Sequence, residues 1–125
     1  MAAPKEMPLG LRVLIVEDEA LIALHLEDML EDMGCSTAAA FSSLPEAIAA
    51  IESLEADVAV LDVNVAGKEI FPLAEMLAER KVPIVFSTGY GAGMLPERWR
   101  SYPIVAKPFD PGALRKGLIA AMALR

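Results

Sequence analysis

The feature that most constrains this chain is a series of short apolar runs, each stopping at a residue with chemistry to offer. Residues 11–16 (LRVLIV) stop at Glu17-Asp18-Glu19, residues 57–61 (DVAVL) at Asp62, residues 83–87 (PIVFS) at Thr88-Gly89, and residues 104–106 (IVA) at Lys107-Pro108. Runs this short, rich in β-branched residues and almost wholly apolar suit strands buried on both faces. Between them the pattern changes to a helical period. Over residues 20–33, Ile22, Leu26, Met29 and Met33 form one apolar row with Leu21, Leu24 and Leu30 beside it, and Gly34 is placed as a stop. A weaker strand is expected over residues 35–40. Ser42-Ser43 caps a helix with Pro45 in its first turn, running to about Leu54.

Residues 63–70 read as a loop. Pro72 then opens a helix through Leu73, Met76 and Leu77 to Arg80, and Asp110-Pro111 opens a final helix carrying Leu114, Leu118, Ile119 and Met122. Strands alternating with helices predict an α/β domain, a doubly wound parallel sheet covered on both faces. One interval breaks the rhythm. Gly89, Gly91, Gly93 and Pro96 precede Glu97-Arg98-Trp99-Arg100, and glycine costs a helix roughly 1 kcal/mol against alanine. A mobile loop is expected there, with room for a turn or two between residues 95 and 100.

At 125 residues the chain suits one domain, divided here into a tail over 1–10 and a domain over 11–125. Its formal charge of -7, with no basic stripe, argues against nucleic acid as a partner. The single Cys35 cannot form an internal disulfide, and no His/Cys cluster suggests zinc. The N-terminus lacks the apolar stretch of a signal peptide, and no run is long enough to span a membrane. A cytoplasmic protein is expected, with no membrane partner.

Ligands of open parallel sheets bind beyond the carboxyl ends of the strands. This chain delivers Glu17, Asp18, Asp62, Thr88 and Lys107 to that edge. Three converging carboxylates demand a proton or a cation, and hard oxygen ligands suit Mg²⁺. Phosphoryl transfer needs a nucleophile, a metal and donors for the transferred oxygens. Asp62 can be the nucleophile, Asp18 and Glu17 can hold the metal, and Thr88 and Lys107 can be the donors. Any one of them alone is an ordinary turn former or helix cap. As a set, each at its own strand end, they point to chemistry.

The acidic pair Glu17-Asp18, the central Asp62, Thr88 and Lys107-Pro108-Phe109 resemble the receiver domain of two-component response regulators, over residues 11–125. The resemblance implies a flavodoxin-like five-stranded sheet in the order 2-1-3-4-5 and a phosphoacceptor rather than an enzyme in its own right. It implies that Asp62 takes a phosphoryl group from a histidine kinase or phosphotransfer protein. Asp18, Asp62 and the backbone carbonyl of Asn64 would hold Mg²⁺, with Glu17 acting through water. Thr88 would be the switch hydroxyl and Lys107 the cation on the phosphate. Ile22, His25, Leu26, Pro108 and Phe109 would form the kinase-docking face, although a lone His25 also reads as ordinary surface.

The sequence departs from common receivers in two places. Val65-Ala66-Gly67 stands where a proline usually follows the acceptor, and Ile104 replaces the aromatic three residues before the lysine. Residues 86–91 (FSTGYG) are instead similar to the FAT GUY subgroup, associated with kinases of the HWE/HisKA2 type and with a weak or missing fourth helix. Tyr90 and Ile104 are then the candidate readout residues, and Trp99 is either a partner anchor or packing beneath the loop. With no output domain expected after the last helix, the signal would pass to a downstream protein. A binding-only pseudo-receiver is the alternative. Asp62-Val63-Asn64-Val65 also faintly matches the nucleophile motif of haloacid-dehalogenase phosphatases, where the order of acids is reversed. A flavodoxin-like FMN carrier lacks support, because acids stand where its phosphate loop would be.

Overall fold

A computed structural model describes residues 7–8, 10–89 and 95–124 of the chain. In order, it contains β1 (Arg12–Val16), α1 (Ala20–Asp32), β2 (Ser36–Phe41), α2 (Leu44–Ala50), β3 (Val58–Asp62), β4 (Asn64–Val65), β5 (Lys68–Glu69), α3 (Phe71–Glu79), β6 (Ile84–Thr88), β7 (Ile104–Ala106) and α4 (Pro111–Ala123). Five strands make one parallel sheet in the order β2-β1-β3-β6-β7, while β4 and β5 pair antiparallel as a separate hairpin. Leaving the hairpin aside, this is the 2-1-3-4-5 arrangement expected of a flavodoxin-like fold.

The alternation along each strand decides which core it feeds. Val13 and Ile15 of β1, Val58 and Val60 of β3 and Val85 of β6 point to one face, where Leu26, Met29, Leu30, Leu114 and Leu118 cover them from α1 and α4. Leu14, Val16, Ala59, Leu61, Ile84 and Phe86 point to the other, beneath Leu44 and Ala47 of α2 and Leu73 and Leu77 of α3. The three central strands are buried at nearly every position, which is why their sequences carry no polar alternation. Gly34 stops α1 as expected. Its N–H donates to the Glu31 carbonyl at 3.0 Å and the Cys35 N–H to that of Leu30 at 2.9 Å, the paired bonds of a Schellman ending.

Several expectations need correction. Leu21 and Leu24 do not join the buried row of α1 but stand in solvent, 83% and 55% exposed. Helix α2 ends at Ala50 and tightens into a 3₁₀ turn over Ile51–Ser53. Met7 belongs to the segment expected as a tail, yet it packs into the core on the α1–α4 face. The presumed loop 63–70 contains the β4–β5 hairpin, whose two turn residues, Ala66 (φ 50°) and Gly67 (φ 82°), take the positive φ of a type I′ turn.

Between β6 and β7 the described residues form a 3₁₀ turn, Glu97–Trp99, and no α-helix. Trp99 is buried, its ring 5.6 Å from that of Phe86 and 5.0 Å from that of Tyr102, so it packs beneath this segment rather than projecting as an anchor. Arg98 lies 4.2 Å over the same indole and reaches Glu75 of α3 at 3.0 Å. Gly91, Gly93 and Tyr90 lie outside the described residues.

Helix α4 approaches the sheet through Gly117, where a Cβ would lie 2.9 Å from Val105 Cγ2 and 3.4 Å from Val85 Cγ1. Both neighbours are β-branched and stiff. Gly117→Ala should therefore destabilise the fold by about 1–2 kcal/mol, because overpacking outweighs the roughly 1 kcal/mol gain in helix propensity. Urea denaturation of the two proteins measures the difference.

Candidate functional site

The sheet register delivers the candidate residues to one edge. Asp62 is the last residue of β3 and pairs with Ser87, while Thr88 ends β6 opposite Ala106. Lys107 follows directly, its backbone N–H donating to the Thr88 carbonyl at 3.0 Å. Glu17 leaves β1 with its N–H bonded to the Phe41 carbonyl, also at 3.0 Å, which holds the turn into α1 against β2. Between these ends opens a cleft of about 440 Å³, lined by Asp18, Glu19, Asp62, Val63, Asn64, Glu69, Thr88, Gly89 and Lys107.

Lys107 Nζ donates to Asp62 Oδ2 at 2.9 Å and to Glu17 Oε1 at 3.1 Å, with the side chains of both acids almost wholly buried. Burial works against the lysine's charge, but the hydrogen bonds to Asp62 and Glu17 outweigh it and raise its pKa above the ordinary value. Burial raises the Glu17 carboxyl from its ordinary 4.5 to about 7, although the Glu19 N–H (3.0 Å from Glu17 Oε2) and Lys107 favour its charge. For the exposed Asp18, burial pushes upward, but the Ala66 N–H at 3.1 Å and the Glu17 side chain hold its pKa below the usual value.

One carboxylate oxygen each of Glu17, Asp18 and Asp62 lie within 4.8 Å of one another. This is an all-oxygen donor set, two members buried and one open to solvent, and its chemistry fits a hard divalent cation that keeps part of its own water shell. Asn64 stands at the lip. Its N–H reaches Asp62 Oδ1 at 3.3 Å, and its side-chain oxygen accepts from the Gly67 N–H at 3.0 Å, tying β3 to the hairpin turn.

Thr88 is buried beside Lys107 at the cleft. Ile104 is half-buried, paired across the sheet with Phe86 and packed on the α2–α3 side of the core. Of the expected docking residues, His25 and Pro108 are exposed and Ile22 is half-buried against the core. Leu26 and Phe109 are core residues, 1% and 6% exposed, and offer no surface to a partner. The exposed leucines of α1 are Leu21 and Leu24, one residue and two residues from the expected ones. Two contributors escaped the sequence reading altogether, Glu69 and the Ala66 N–H, because both depend on the hairpin.

A profile of the response regulator receiver domain matches residues 13–119. Among curated proteins, the chain is 33% identical over 103 residues to the transcriptional regulatory protein PdtaR of Mycobacterium tuberculosis, covering 79% of this chain and 50% of PdtaR. It is 32% identical over 103 residues to the phyllosphere-induced regulator PhyR of Methylorubrum extorquens, covering 79% of this chain and 39% of PhyR. The chain thus spans about half or less of the curated relatives it matches. Among solved structures, SdrG from Sphingomonas melonis Fr1 is 39% identical with a TM-score of 0.82, over 92% of this chain and 98% of SdrG. Against the BeF3-activated conformation of SdrG from Pseudomonas melonis Fr1, also 39% identical, the TM-score is 0.75 over 93% of this chain and 99% of that one.

Removing the ammonium strands two buried carboxylates, so Lys107→Met should cost the metal-free protein about 2–3 kcal/mol of stability, measured by urea denaturation in chelator. The pH dependence has a definite sign. Between pH 4.5 and about 7 the folded chain holds a proton on Glu17 more tightly than the unfolded chain does. That contribution is full below 4.5 and fades as pH rises through 7. In chelator, the difference in urea midpoint between about pH 5.5 and about pH 8 should shrink in Glu17→Gln relative to the parent.

Proposed function

The chain belongs to the response regulator receiver domain family, and on that premise we propose that it is a cytoplasmic phosphoacceptor: Asp62 takes a phosphoryl group from the phosphohistidine of a histidine kinase or phosphotransfer protein. The observation that carries this reading is the placement of a buried Asp62 carboxylate 2.9 Å from the Lys107 ammonium, within 4.8 Å of oxygens of Glu17 and Asp18, at the floor of an open cleft. That is a nucleophile, a charge-neutralising group and a cation-binding acid set in one place.

Asp18 and Asp62, with Glu17 behind them and the Asn64 carbonyl at the lip, would hold Mg²⁺. When bound, the ion supplies neutralisation of the charge on the transferred phosphoryl oxygens. Asp62 is the attacking group, and its register beside Ser87 aims it into the cleft. Lys107 is already within hydrogen-bond reach of the acceptor, so once Asp62 carries phosphate the ammonium need only exchange a carboxylate oxygen for a phosphoryl one. Thr88 is tied to Lys107 through the backbone bond between β6 and β7 and is the hydroxyl placed to follow it. Such a switch needs two states separated by a few kcal/mol.

The relative SdrG has been captured in a BeF3-activated conformation, which supports the same acceptor chemistry here. A kinase of the HWE/HisKA2 type and a downstream protein are the proposed partners. For docking, α1 offers the exposed Leu21, Leu24 and His25, and Pro108 is exposed beyond β7. No helix among the described residues is long and apolar enough to cross a membrane.

Incubation with Mg²⁺ and either a phosphorylated kinase or a small phosphodonor should add one phosphoryl group by intact mass. Asp62→Ala should add none, and chelation should abolish the gain. Continuous consumption of the donor without any adduct would instead mark a phosphatase. A protein modified by neither donor would be a binding-only pseudo-receiver.

A further inference from the structure

The cleft has an electrostatic imbalance that the acceptor chemistry does not require. Along its lining, the carboxylates of Asp18, Glu19, Asp62 and Glu69 face a single cation, Lys107, which is already shared between Asp62 and Glu17. Asp18 and Asp62 belong to the proposed metal set, and Glu19 starts α1. Glu69 has no such duty. It forms no ion pair with any described residue, yet the fold holds it at the cleft. Its backbone pairs with Asn64 across the hairpin, and the turn is locked by the positive φ of Ala66 and Gly67 and by the bond from Gly67 N–H to the Asn64 side chain. Ala66 in turn donates to Asp18 on the opposite wall.

Resting on the acceptor reading above, we propose that Glu69 is a specificity-determining residue that selects phosphodonors by charge, disfavouring small, highly anionic acyl phosphates relative to N-linked phosphoryl donors. An anion entering the cleft feels each fixed charge at its mouth, and the penalty grows with the anion's own charge. A protein phosphohistidine releases a neutral imidazole and arrives on a surface that brings its own counter-charges. Free acetyl phosphate, a dianion, has neither advantage.

The transfers compared are simple. An Asp62 oxygen bonds to phosphorus as the P–N bond of phosphoramidate or the P–O bond of acetyl phosphate breaks. The electron pair leaves with the nitrogen, already protonated and released as ammonia, or with acetate.

The test compares acetyl phosphate with phosphoramidate, which carries one negative charge fewer, at saturating Mg²⁺ on the full chain. The readout is the ratio of the two second-order phosphorylation rates within each protein, which cancels differences in folded fraction and metal occupancy. Glu69→Gln should raise the acetyl phosphate to phosphoramidate ratio by about two- to threefold at low salt. Glu69→Lys should raise it further, Glu69→Asp should leave it near the parent value, and high salt should erase the differences. Adducts that form with an unchanged ratio in Glu69→Gln and Glu69→Lys overturn this inference alone. No adduct on the parent chain from either small donor or from a phosphorylated kinase overturns the acceptor reading, and the inference falls with it.

Discussion

Lys107 Nζ lies 2.9 Å from Asp62 Oδ2 and 3.1 Å from Glu17 Oε1, in a place where none of the three groups has much water to fall back on. Two like charges cannot be buried side by side without a proton or a cation between them, and here the lysine supplies the cation. The ends of three strands are held together by this bridge: Glu17 follows β1, Asp62 ends β3 and Lys107 follows β7. On the proposed acceptor reading, the ammonium that neutralises these acids is also the group within reach of a phosphoryl group on Asp62.

The two halves of the surrounding structure serve this arrangement differently. The sheet is rigid and buried on both faces, so it fixes where the strand ends point. The rim includes short, locally closed pieces, the turn into α1 and the β4–β5 hairpin. Asp18 and Ala66 join these two pieces through one hydrogen bond, and Asn64 joins the hairpin to β3 through another. Phe86 packs edge-on against Trp99 and Tyr102, and the Phe71 ring centroid lies 6.0 Å from that of Phe86. This aromatic block fills the space beside Ile104. A displacement of Thr88 would reach it through Phe86, two residues earlier on the same face of the strand.

What could be read in advance followed from strict periods and from strand ends. A strand buried on both faces permits little but apolar residues, so its end is visible where an acid, threonine or lysine intrudes, as at Glu17, Asp62, Thr88 and Lys107. The hairpin was not legible because Ala66-Gly67 lacks the asparagine or aspartate that usually announces a type I′ turn, and β4 and β5 are two residues each. Glu69 and the Ala66 N–H went unseen with it. The face of α1 was misjudged because neighbouring apolar rows on a helix differ by a fraction of a turn. Leu21, Leu24 and Leu26 are chemically alike, and only the docking of α1 on Val13 and Ile15 decides that Leu21 and Leu24 are left outside. Trp99 was undecided between anchor and core until Phe86 and Tyr102 were placed around it.

The sequence by itself determined the alternation of strands and helices, the parallel sheet, the stops and caps, and the set of groups delivered to one edge. These follow from local backbone preference and from the demand that apolar strands be covered. The tertiary structure alone decided that Lys107 bridges Glu17 and Asp62, that burial lifts Glu17 toward neutrality, that Leu21 and Leu24 stay outside the core while Phe109 lies in it, and that a hairpin carries Glu69 to the cleft. Each of these depends on distances between residues far apart in the chain, which no local pattern encodes.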